Sequence, residues 1–154
     1  MTSHPNIKVR LIVMNFLQFA IWGAYLISMG TYLFRVGLGD KIGYFYAMQG
    51  VVSLFMPALM GMVADRWIPA QKLLAFCHLL SAFFRASVGY YGMTGGAVEF
   101  SSMHLFYTLA IGFYMPTLAL SNSVAYTALE KEKLDPVSAF PSIRMYGTIG
   151  FICS

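Results

Sequence analysis

Charge is what this sequence has least of. Only 10% of its 154 residues are Asp, Glu, Lys or Arg, against roughly 25% in an ordinary soluble domain. So few charges cannot coat a globule in water, whereas a lipid bilayer accepts apolar side chains on the outside at no cost. Acids are scarcer still. Asp40, Asp65, Glu99, Glu130, Glu132 and Asp135 are the six, and all fall at the ends of apolar stretches or between them. Cysteine is reduced to Cys77 and Cys153, both within apolar segments. Two such residues make no disulfide framework and no metal-ligand spacing. The ten basic residues are scattered between apolar blocks, so the net charge of +4 marks no nucleic-acid surface. There is no HExxH, no phosphate loop and no nucleophile elbow, and nothing supports an enzyme, a cofactor or a metal centre.

What is present is long apolar runs. Hydrophobic residues make up 58% of the chain and aromatics 16%, with 14 glycines. A membrane-spanning helix needs about 20 consecutive apolar residues. Four such stretches are expected at about 11–34, 42–64, 73–93 and 102–126, and a fifth at 137–154 that is still apolar at Ser154. The connectors are short, so neighbouring helices must run antiparallel in an up-down bundle. The apolar run after Lys8 and Arg10 is too long for a signal-peptide core and lacks a small-residue cleavage site, so it reads as a retained first helix. Lys8, Arg10, Arg66, Lys72, Lys131 and Lys133 flank one side of the bundle, and only Arg35 and Lys41 the other. The positive-inside bias then places the N-terminus in the cytoplasm. Because the fifth run meets no cap or basic flank before Ser154, the expectation is a fragment of a longer reading frame.

Arg144 carries the most information. It lies about two turns into the fifth helix, within Pro141-Ser142-Ile143-Arg144-Met145-Tyr146-Gly147-Thr148-Ile149-Gly150-Phe151. A charge at that depth costs about 2.5–3.5 kcal/mol on insertion scales, so it normally faces a wet cavity or a partner. Thr148 and Phe151 follow at i+4 and i+7 and share its face. A planar five-donor cation, a hydroxyl and an aromatic ring suit a polar ligand with a flat ring. The competing reading is a guanidinium that snorkels to the surface. Gly147 and Gly150 flank the stripe and suit close helix packing more than ligand contact.

Other polar residues leave two readings open. Arg85, in the third helix, is either a snorkelling or a functional cation. His78 and His104 are either a proton relay or packing histidines. Asn15, Gln18, Gln49 and Asn122 either line a cavity or bond between helices. At the end of the second helix, Gly61, Asp65 and Arg66 are either plain interfacial residues or a gating turn, with Gly61 allowing close packing and Asp65 pairing with a cation or helix N-terminus.

Several motifs together resemble one family. Phe16-Leu17-Gln18-Phe19 with Trp22-Gly23, Phe55-Met56-Pro57-Ala58-Leu59 leading to Gly61 and Ala64-Asp65, Tyr114-Met115-Pro116-Thr117-Leu118, and the Arg144 motif follow in order along nearly the whole chain. They resemble the nucleoside–proton symporters of the major facilitator superfamily. The resemblance implies an all-α membrane protein with twelve helices in two six-helix halves. Residues 1–154 would be an incomplete N-terminal half, with four complete transmembrane helices and the start of a fifth. It further implies proton-driven nucleoside import across the inner membrane by alternating access. In the family the arginine, threonine and phenylalanine of the fifth-helix motif line the nucleoside site, which carries over to Arg144, Thr148 and Phe151. Gly61, Asp65 and Arg66 would belong to the gating loop, although Ile68-Pro69-Ala70 departs from the usual Gly and basic residues. The implied partners are a nucleoside, a proton, the bilayer and the missing C-terminal part. With no acid inside a span, the proton carrier is expected outside these residues. An oligosaccharide–proton symporter and a small membrane assembly protein are the alternatives.

Overall fold

The computed structural model describes residues 5–94 and 98–154, except for the Pro5 side chain. The connector glycines Gly95 and Gly96 lie outside the described residues. Five α-helices follow one another: α1 Pro5–Arg35, α2 Ile42–Arg66, α3 Ala70–Met93, α4 Phe100–Lys131 and α5 Pro136–Cys153, with a short 3-10 turn Gly39–Lys41 before α2. No strand occurs among the described residues. The first four helices are long and apolar enough to cross a membrane. Burial is inverted relative to a soluble protein: Leu54, Phe76, Leu79, Phe83 and Ile152 are all exposed, as expected of side chains whose solvent is hydrocarbon.

The ends are set by local chemistry. After α1 the Leu38 amide donates to the Leu33 carbonyl (2.9 Å) and Gly37 to Phe34 (3.2 Å), with Gly37 at φ +84°. This is a Schellman ending, which needs one left-handed residue and pairs two apolar flanks. Leu33 and Leu38 are those flanks, both buried. The end of α4 repeats the device, with Leu134 donating to Leu129 (3.0 Å) and Lys133 to Glu130 (2.9 Å). Here Lys133, at φ +56°, holds the left-handed position that glycine fills after α1. The start of α5 is capped by Asp135, whose carboxylate accepts from the Val137 amide (3.1 Å) and the Ser138 amide (3.2 Å). Pro136 sits in the first turn, where its missing N–H costs nothing.

The chain divides into two compact units. One comprises residues 29–120. In it α3 and α4 are tied by the Ser81 hydroxyl donating to the Ala110 carbonyl (2.9 Å), and α1 to α3 by the Tyr32 hydroxyl donating to the Val88 carbonyl (2.6 Å). Phe45 of α2 is fully buried, 5.2 Å from the Tyr107 and His104 rings of α4. The other unit comprises residues 1–28 and 121–154. Its core is Leu11 of α1, Ala125 and Leu129 of α4, and Ala139 and Ile143 of α5.

Candidate functional site

The fifth-helix stripe lies in the second of these units, and α1 is what it rests against. Small residues make that possible. A Cβ placed at Gly150 would collide with the Phe16 carbonyl oxygen, and one at Gly147 would lie 2.7 Å from the Phe19 ring. From the other side, a Cβ at Gly23 would meet the Phe151 carbonyl oxygen at 2.6 Å. Three glycines on two helices thus let the backbones approach at two levels, which is how small residues drive helix association in lipid.

Arg144 exploits the contact. Its guanidinium carbon sits 3.9 Å from the centre of the Phe19 ring. The negative face of an aromatic ring attracts a cation there, by up to about 2 kcal/mol when water is excluded. The Arg144 side chain is half-buried, and its Nη1 is buried with no hydrogen-bond partner among the described residues. Stacking satisfies charge without satisfying N–H donors, so hydrogen-bonding capacity remains on this cation. Thr148, one turn further, is exposed, and Phe151 is half-buried. The Phe151 ring meets Trp22 edge-on, with centroids 5.7 Å apart and planes at 70°. Trp22 in turn lies 5.8 Å from Phe19. Arg144, Phe19, Trp22 and Phe151 therefore form a continuous run of contacts between α1 and α5.

The remaining expected residues separate into different groups. Gly61 makes no close helix contact: a Cβ there would meet nothing within 4 Å among the described residues. Asp65 and Arg66 are exposed, and neither forms an ion pair among the described residues. Arg85 stacks on Tyr114, with its guanidinium carbon 4.2 Å from the ring centre. His78 lies edge-on to the same ring at 6.2 Å, and His104 is packed between Phe45 and Phe100, each at 5.2 Å. Gln49 accepts from the Tyr107 hydroxyl at 3.2 Å, a bond between helices. Asn15 is fully buried and donates back to the Leu11 carbonyl of its own helix at 3.1 Å. Asn122 Oδ1 is buried without a partner among the described residues. No group of three or more metal-ligating side chains occurs among the described residues.

Sequence reasoning attached no function to Phe19 and Trp22. The available signal was indirect: two glycines beside a charged residue on α5 require something large opposite them, and α1 offers aromatics at i and i+3 followed by Gly23.

Known proteins resemble this chain over nearly its whole length. The family model described as Nucleoside H+ symporter matches residues 5–154. The chain is 40% identical over 152 residues to the xanthosine permease of Escherichia coli K12, covering 96% of this chain and 34% of that protein. It is 39% identical over 150 residues to the nucleoside permease NupG of the same strain, with the same coverages. The crystal structure of nucleoside transporter NupG superposes with a TM-score of 0.84 at 38% identity, over 96% of this chain and 36% of that one. A mutant of NupG superposes at 0.86. The chain spans about a third of the length of the curated relatives it matches. These relatives are permeases, not enzymes, and the fold is that of the N-terminal part of a major facilitator transporter. With four helices of spanning length and a match over residues 5–154, the chain is a multi-pass membrane protein and belongs to the nucleoside H+ symporter family.

Proposed function

We propose that these helices form the N-terminal part of a transporter that imports nucleosides together with protons by alternating access. The observation that carries the reading is the half-buried Arg144, stacked on Phe19 yet keeping an unpartnered buried Nη1 beside Thr148 and Phe151. In this reading Arg144 donates to nucleoside oxygens, Thr148 contributes a hydroxyl, and Phe151 stacks on the base. Arginine suits this work because its planar fork offers several fixed donors at once. Gly61, Asp65 and Arg66 form the gating turn, with Asp65 and Arg66 exposed at the end of α2 for a partner in another state of the cycle. The six acids lie at helix ends or in connectors, so the proton rides on a carboxylate of the other helices. In this reading the protein sits in the inner membrane, and the basic flanks support a cytoplasmic N-terminus.

The test is uptake of labelled uridine and adenosine by cells that lack their own nucleoside transport and express the full-length protein. Expected is uptake that collapses with a protonophore and is not inhibited by oligosaccharides. Sugar uptake without nucleoside uptake would transfer the protein to the oligosaccharide class.

A further inference from the structure

Behind the ligand stripe stand two aromatic rings to which the transport reading gives no task. Phe19 is only 6% exposed, and its ring face is occupied by the Arg144 guanidinium. Trp22 touches Phe19 on one side, at 5.8 Å with planes tilted by 52°, and the Phe151 ring on the other, at 5.7 Å and 70°. We propose that Phe19 and Trp22 of α1 are positioning residues, holding the Arg144 guanidinium and the Phe151 ring in the arrangement in which α5 meets a nucleoside. This inference rests on Arg144, Thr148 and Phe151 being the substrate side of the site.

The physical reason lies in what each ligand group would do without them. An arginine reaches its partner through a long flexible arm, and freezing that arm on binding costs affinity. A ring fixed against one face of the guanidinium removes that freedom in advance and leaves the N–H edge for the ligand. A stacking ring must likewise have its plane set before the base arrives. The edge contact from Trp22 sets it for Phe151, because an aromatic pair prefers this near-perpendicular geometry. The pair is itself immobilised. The ring of Phe19 abuts Gly147, and the backbones of α1 and α5 come together at Gly150 and at Gly23. Any side chain at 147 would push Phe19, and Arg144 with it.

Tyr126 of α4 serves as the control, an aromatic of the same unit on another helix whose ring meets Phe140 with centroids 4.7 Å apart. The experiment is nucleoside uptake by the full-length protein, read as KM and as maximal rate per inserted transporter. Phe19→Leu keeps an apolar side chain but loses the ring face. It is expected to raise KM about three- to tenfold and to keep the maximal rate. Phe19→Tyr restores the ring face and brings KM back toward the parent value, while Tyr126→Leu leaves KM unmoved. If Phe19→Leu does not reach the membrane, Phe19→Met carries the same test. An unchanged KM in Phe19→Leu or Phe19→Met, or an equal rise in Tyr126→Leu, overturns the positioning inference. Loss of binding in Arg144→Ala alongside a normal KM in Phe19→Leu sinks only the inference. A normal KM in Arg144→Ala sinks the transport site itself.

Discussion

Two arginines lie within apolar stretches away from the basic flanks, Arg85 in α3 and Arg144 in α5, one in each compact unit, and both are stacked on an aromatic ring. Arg85 covers Tyr114 at 4.2 Å and Arg144 covers Phe19 at 3.9 Å. Their surroundings differ. Tyr114 is fully buried, with His78 against its ring, and α3 is fastened to α4 by the Ser81–Ala110 bond in the next turn. Arg85 has further interactions there. Arg144 instead sits in a seam made by glycines, beside an exposed hydroxyl and a half-buried ring. A cation in a membrane helix is expensive in either place. What separates a strut from a site is whether the surroundings are packed shut by large side chains or leave a hydroxyl and a ring open beside the cation.

Replacing each arginine breaks or sharpens that contrast. Arg144→Ala is expected to abolish nucleoside binding, a loss on the order of a hundredfold or more for a buried charge-assisted contact, while membrane insertion persists. Arg144→Lys also binds poorly, because a point charge lacks the planar fork. Arg85→Ala should instead lower the yield of folded protein and leave the KM of uptake near the parent value. Equal effects of the two alanine variants on KM would erase the distinction.

The seams give the next contrast. Gly150→Ala drives a methyl into the Phe16 carbonyl oxygen, a backbone atom that cannot swing aside. A cost of about 1–3 kcal/mol is expected, seen as a lowered midpoint in thermal unfolding of the detergent-solubilised protein. Gly50→Ala in α2, where a Cβ would meet nothing within 4 Å among the described residues, should be neutral or slightly stabilising. A smaller effect is expected at the α5 cap. Asp135→Ala leaves the Val137 and Ser138 amides without their acceptor and should cost about 1 kcal/mol, measured in the same way.

The spans are legible in the sequence because a bilayer demands long apolar runs. Hydropathy alone starts α1 at about residue 11 and ends α4 at about 126, whereas the helices run from Pro5 and to Lys131. Lys8, Arg10 and Glu130 end an apolar run without ending a helix, since backbone bonds continue wherever propensity allows. The stripe of Arg144, Thr148 and Phe151 is legible for the same local reason, helical spacing. Phe19 and Trp22 are not, because their contact with α5 is tertiary and no periodicity encodes which helix faces which. Gly61 depends on the same tertiary information. A glycine permits close approach, but the partner must come from elsewhere, and α2 buries only Phe45 among these helices.

Thiol labelling at Thr148 asks most directly whether the stripe borders water. Thr148→Cys, in full-length protein whose other cysteines are replaced, should react with a membrane-impermeant thiol reagent. Saturating uridine or adenosine should slow that reaction. A cysteine there that stays unreactive, or that reacts at the same rate with and without nucleoside, would place this face of α5 outside any ligand pocket.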